Sequence, residues 1–199
     1  MKKTHRTVLF TIVFMCIISV LVIGSFYVMT KNKIVSKEEP ETEAQILIQK
    51  DIKGSYPGTP REVLKLYARI TQCLYNDAIT DQEYEKLADQ LRILFDEELL
   101  QANPRETYLK NLKSDIQSYQ KNMDKITTYE VALASETDYG TIEEQEYATL
   151  KVAFLVQNSE KKITYRKTTE QFLFHQDQEE NWKIIHWKQI ANENIEDES

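Results

Sequence analysis

Apolar residues recur along this chain in three successive rhythms. Residues 8–29 read VLFTIVFMCIISVLVIGSFYVM, a run without a single charge. Between residues 59 and 120 apolar positions fall three and four apart, which places them on one face of a helix. From Thr127 onward they fall two apart, the period of strands whose successive side chains face opposite ways.

The first run is long enough, at about 1.5 Å per residue, to cross the hydrocarbon core of a bilayer as a helix. A cleaved signal peptide has a shorter apolar core and a small-x-small site, and only Gly24-Ser25 offers small residues here. The segment is therefore expected to be an uncleaved transmembrane helix over 8–29. Lys2, Lys3 and Arg6 precede it and Lys31, Lys33 and Lys37 follow it, so the positive-inside comparison ties. The short head, residues 1–7, favours a cytoplasmic N-terminus and an extracytoplasmic domain at the cell membrane. Residues 30–58 read as a stalk, charged and broken by Pro40, with Ile46-Leu47-Ile48 able to dock and turn-forming residues from Lys53 to Gly58.

Three helix starts follow. Thr59-Pro60-Arg61-Glu62 and Thr80-Asp81-Gln82-Glu83 pair a capping hydroxyl with a glutamate three residues on. Asn103-Pro104-Arg105-Glu106 repeats the pattern with Asn as cap. Val63, Leu66, Tyr67, Ile70, Cys73 and Leu74 form the first stripe. Tyr84, Leu87, Leu91, Leu94 and Phe95 form the second, and Tyr108, Leu109, Leu112, Ile116 and Tyr119 the third.

Strands are expected over 127–136, 145–157, 162–176 and 182–190, joined by connections short enough to require antiparallel neighbours. In the third strand the apolar positions are odd at its start (Ile163, Tyr165) and even at its end (Phe172, Phe174). That switch predicts a bulge or bend between Arg166 and Glu170. The acidic tail, 191–199, is expected to be disordered.

Charge excludes some functions. The formal net charge is −7, and it is more negative still beyond the basic head, so neither nucleic acid nor an anionic lipid surface is an expected partner. Cys73 is the one cysteine beyond the apolar run and sits on a helical stripe, where a buried thiol is expected. Of the three histidines, His175 and His186 lie on neighbouring strands but out of step, so no metal site is expected. No phosphate loop or Gly-x-Ser-x-Gly elbow is present, and no cofactor is expected.

Helices followed by an antiparallel meander whose last strand reads Asn181-Trp182-Lys183-Ile184-Ile185-His186-Trp187 resemble the nuclear transport factor 2-like superfamily. The matching motif is Trp182-Lys183-Ile184 after the turn Gln178-Glu179-Glu180, and the resemblance spans about residues 59–190. It implies an α+β fold with three helices packed on a curved, four-stranded antiparallel sheet, forming a cone. Family members often insert a short strand between the second and third helices, for which Leu99-Leu100-Gln101 is a poor match. With its apolar segment the chain also looks like single-pass, uncharacterised membrane proteins of Gram-positive bacteria and bitopic components of conjugation and type IV secretion machines.

The mouth of such a cone is the candidate pocket. Strict alternation places Phe172, Phe174, Trp182, Ile184 and His186 on its even face, Glu170 just beyond, and Tyr67 and Tyr84 on the helical stripes above. The same residues serve equally as ordinary core. Three functions remain open. The first is a membrane-tethered domain that binds a protein or forms a homodimer through an odd face carrying Leu173, Ile185 and Trp187. The second is a small-molecule sensor or carrier using the cone. The third is an isomerase- or dehydratase-type enzyme using His186 and Glu170 as acid and base. An open cavity of a few hundred Å³ reaching Glu170 or His186 would favour binding or catalysis.

Overall fold

The structure is a computed structural model that describes residues 41–76 and 78–195. The chain divides after Glu41, and the folded unit begins at Thr42. The transmembrane helix expected over 8–29 lies outside the described residues. Among the described residues no helix is long and apolar enough to cross a membrane.

Among the described residues five α-helices precede the sheet where three were expected. Helix α1 (Glu43–Gln49) opens on a capping box. The Thr42 hydroxyl accepts from the Gln45 amide at 3.2 Å, and the Gln45 side chain accepts from the Thr42 amide at 3.0 Å. Together with Ile52, its Ala44 and Leu47 are buried in the core, so part of the segment assigned to the stalk packs into the domain. The Gln90 side chain donates to the carbonyls of Ile48 (3.0 Å) and Lys50 (2.9 Å), satisfying the end of this short helix.

Helices α2 (Pro60–Asn76) and α3 (Asp81–Ile93) begin where the capping signals place them. Glu62 accepts from the Gly58 amide at 3.1 Å while Thr59 accepts from the Glu62 amide at 3.2 Å. Thr80 and Glu83 bond each other's backbone amides reciprocally. The third start differs. A six-residue helix α4 (Glu97–Ala102) intervenes, capped by Asp96, and Asn103 closes it by donating to the Leu99 carbonyl at 3.0 Å. Asn103 therefore ends one helix instead of starting the next. Helix α5 (Arg105–Lys121) begins after Pro104 without a side-chain cap, as its missing N–H permits.

The sheet has five antiparallel strands, not the expected four: β1 (Asp124–Val131), β2 (Asp138–Ile142), β3 (Gln145–Asn158), β4 (Thr164–Gln176) and β5 (Trp182–Ile195). Their order is β1-β3-β4-β5, and β2 pairs with the other half of the β3 edge that β1 occupies. A 3-10 turn, Ala134–Glu136, separates the two half-edges. Strand β2 is exposed at every position, so it carries no inside–outside alternation by which a strand is recognised. Its hairpin to β3 turns through Glu143 and Glu144, both at positive φ, where Asn-Gly would be the usual signal. Strand β5 continues to Ile195, five residues into the expected tail.

The irregularity expected in β4 lies in β5. Strand β4 pairs with β3 in unbroken register from Thr164 to His175, and its even positions from Thr168 to Phe174 face the core. Across the other ladder, Leu173 pairs with His186 but Phe174 with Ile184, leaving Ile185 as the extra residue. A second extra residue, Ile190, separates the Glu170–Gln189 and Thr169–Ala191 pairs. One inserted residue exchanges the faces of everything beyond it. Ile184 is therefore fully buried, His186 is exposed on the outer face, and Trp187 turns inward to pack against the core.

Helix α2 is bound to the inner face of the sheet by side chains that reach strand backbone. Asn76 donates to the Ile126 carbonyl and accepts from the Ile126 amide at 2.9 Å. Gln72 donates to the same carbonyl at 3.1 Å, and Arg61 to that of Ala132 at 2.8 Å. Between the layers lie Leu64, Ile70, Leu74, Leu150, Val152, Phe172 and Phe174, each at most 1 % exposed. The joint between α3 and α4 lies against the start of β5. Phe95 forms a parallel bridge with Ile184, carried by Asp96 N–H to Ile184 O at 2.9 Å and Ile184 N–H to Leu94 O at 2.8 Å.

Candidate functional site

A cavity of about 330 Å³ lies between α2, α5 and the inner face of the sheet. Its walls follow from helical spacing. Tyr67, Thr71, Leu74 and Tyr75 fall four, three and one apart on α2, and Tyr108, Leu112, Asp115 and Tyr119 fall four, three and four apart on α5. These are single faces of two helices. The sheet supplies Phe154 and Val156 from β3, Thr168 and Glu170 from β4 and Trp187 from β5.

Aromatic side chains hold the walls in place. Tyr67 meets Phe172 edge-on with centroids 4.9 Å apart, and Trp187 stacks on Phe172 at 5.9 Å with planes 11° apart. Tyr75 meets Tyr119 edge-on at 4.8 Å. Each such pair contributes about 0.5–1.5 kcal/mol beyond the area it buries.

Two carboxyls line this space, and their surroundings differ. Asp115 on α5 accepts a hydrogen bond from the Tyr75 hydroxyl. The Glu170 carboxyl has no hydrogen bond and no ion pair among the described residues. Burial, with the Asp115 charge nearby, pushes its carboxyl up from 4.5 to about 7. A group in that range is half ionised near neutral pH. Burial likewise holds the hydroxyls of Tyr67, Tyr75, Tyr108 and Tyr119 above the usual phenol range, so all four stay neutral. Thr71 Oγ1 is buried without a partner. At the end of the cavity Arg166 is held by the buried Asp124 at 3.0 Å and lies 5.7 Å from the Tyr119 ring centroid.

Of the eight residues named from the sequence, Tyr67 and Glu170 line the cavity, and Ile184 is buried core. Phe172 and Phe174 are fully buried core. Tyr84 lies between α3 and α5, its hydroxyl donating to the Leu109 carbonyl. Trp182 is buried at the start of β5, where its carbonyl accepts from Tyr56 at 2.9 Å. His186 faces outward across the Ile185 bulge and reaches no part of the cavity. The structure adds Tyr75, Tyr108, Asp115, Tyr119 and Trp187. Tyr108 and Tyr119 already stood on the apolar stripe of α5, and the step from Tyr119 back to Asp115 was the visible sign of a carboxyl on that face.

A second depression, about 540 Å³, lies at the joint of α3 and α4. Several of its charged groups already have partners. Lys183 donates to the Ile93 carbonyl at 3.0 Å and approaches Asp177 at 3.8 Å, while His175 meets Asp96 at 2.7 Å. Among the described residues there is no cluster of three or more His, Cys, Asp or Glu suited to a metal ion.

Set beside known families, residues 1–187 match a domain of unknown function, DUF6715. The chain belongs to that family, and the match takes in the apolar segment as well as the folded unit. No curated protein matches the chain.

Proposed function

We propose that this member of the DUF6715 family is a membrane-tethered domain that binds a small molecule in the cavity between α2, α5 and the sheet, acting outside the cytoplasm as a sensor or carrier. One observation carries the reading: a cavity at the lower end of the size range of ligand sites has a carboxyl in its wall, Glu170, that the fold leaves unpaired. A partly buried carboxyl without a protein partner carries a desolvation cost, and a ligand that supplies the partner recovers part of it. Tethering is supported by the uncharged apolar run over 8–29.

The other two readings lose residues they depended on. Pairing through the outer face of the sheet was to use Trp187, which instead lines the cavity. The acid–base pair was to combine Glu170 with His186, which faces the opposite side of the sheet.

The test uses the full chain purified in detergent and screened for thermal stabilisation by metabolites of different charge. A ligand at one hundred times its Kd adds about 2.7 kcal/mol, readily seen as a rise in Tm. At least one compound is expected to stabilise the parent and to lose its effect when Thr71→Trp fills the cavity. If no cation, sugar, neutral or anionic metabolite does so, the binding reading fails. Carbonate extraction checks the tether: the full chain should stay with the membrane, and a chain lacking 8–29 should be released.

A further inference from the structure

The chemistry of the cavity narrows the ligand, and this step rests on the binding reading above. We propose that the cavity takes a small organic cation, an amine or quaternary ammonium, contacted by Tyr67, Tyr75, Tyr119 and Trp187 and neutralised by Glu170 and Asp115.

The sign of the charge comes first. Both ionisable side chains in the lining other than tyrosines are carboxyls, and no Lys, Arg or His lines the space. Arg166 lies beyond it and is already matched by Asp124. An anion would meet two carboxyls at close range with no cation to offset them. A neutral polyol could bond the unpartnered Thr71 hydroxyl, but it would leave both carboxyls without a counter-charge. Besides its hydroxyls and amides, the lining offers carboxylate oxygen and aromatic surface. Aromatic rings attract cations through their quadrupoles, and most strongly where water is excluded. A cation with N–H groups or a diffuse positive charge meets both features, whereas a neutral compound of the same shape meets only the apolar one.

Occupancy is then coupled to a proton. The titratable groups that line the cavity with Glu170 are Asp115, Tyr108 and Tyr119 from α5 and Tyr67 and Tyr75 from α2, while its strand partners are Val152 on β3 and Gln189 on β5, neither of which titrates. With the tyrosines neutral, a bound cation stabilises the ionised Glu170, so the proton that it holds near pH 7 is released on binding.

The experiment is calorimetric titration of the full chain in detergent with choline, tetramethylammonium and spermidine. The carbon isostere of choline, 3,3-dimethylbutan-1-ol, serves as the neutral control, at pH 6 and pH 8 in buffers of different ionisation enthalpy. At least one cation should bind tenfold or more tighter than the isostere. Its affinity should rise roughly tenfold from pH 6 to pH 8, with protons taken up by the buffer. Glu170→Gln should remove the pH dependence and weaken the cation about tenfold, and Asp115→Asn should weaken it while keeping the pH dependence. If the isostere binds as tightly as the cations, or if only neutral or anionic metabolites stabilise the protein, the cation inference is overturned and the binding reading stands. If nothing stabilises it, both fall.

Discussion

Replacing Glu170 by Gln should make the empty protein more stable, and only at the pH where the carboxyl would otherwise be charged. The carboxyl sits at about 7 in the folded state and near 4.5 when solvated. At about 1.4 kcal/mol for each pH unit between those values, its ionisation costs the native state up to about 3 kcal/mol at pH 8. Water in the cavity screens part of this, so about 1–3 kcal/mol is expected. The sign follows from the direction of the shift. Below about pH 4.5 both states hold the proton and nothing is lost; native stability falls as pH rises towards 7 and levels off above it. Glutamine, similar in size and never charged, escapes the loss. Thermal and urea unfolding of parent and variant at pH 5 and pH 8 would measure it. The variant should gain roughly 2–12 °C in Tm at pH 8, taking about 2–4 °C per kcal/mol for a domain of this size, and much less at pH 5. Equal stability at pH 8, or a gain that does not change with pH, would show that Glu170 is not desolvated and would remove the basis for treating the cavity as a site. A residue whose removal strengthens the fold is one retained for some other reason.

The bulge in β5 makes a paired prediction: Trp187→Ala should cost about 2–4 kcal/mol in urea unfolding, whereas His186→Ala should stay within about 0.5 kcal/mol, and the reverse order would mean that Ile185 is not the inserted residue. Arg166→Ala should cost about 3–5 kcal/mol by leaving the buried Asp124 charge unpaired, with the double variant Arg166→Met, Asp124→Asn recovering part of the loss in the same assay. Asn76→Ala should cost about 1–3 kcal/mol, because it removes the acceptor for the Ile126 amide and one of the two side-chain donors to its carbonyl; hydrogen exchange should speed up at the Ile126 amide first.

Much of this architecture was legible where a local rule carries the structure by itself. The Thr59–Glu62 and Thr80–Glu83 boxes start α2 and α3 because the bonds that make them are complete within a few residues. Strands β3 and β4 follow their apolar alternation because both are flanked on both sides. Asn103 misled because a residue before proline can equally end the preceding helix, and the choice depends on Asp96, seven residues upstream, capping a helix too short to show a period. Strand β2 was hidden because it buries nothing. The places of His186 and Trp187 differ from the expected ones for a single reason. Strict alternation carried His186 inward and Trp187 outward, and one extra residue at Ile185 reversed both. Nothing local marks that insertion, since Ile184 and Ile185 are the same residue type and only the partner strand decides which of them is counted.

The inward turn of Trp187 leaves the molecule with an optical reporter. The chain has two tryptophans, Trp182 buried near Tyr56 and Tyr139 and Trp187 in the cavity wall. Trp182→Phe would yield a protein whose tryptophan emission comes from the cavity alone. Displacement of water beside the indole would shift that emission to shorter wavelength, and an ionising carboxylate nearby would change its intensity. The titration of Glu170 and the arrival of a ligand could then be followed in one cuvette, without any label attached to the protein.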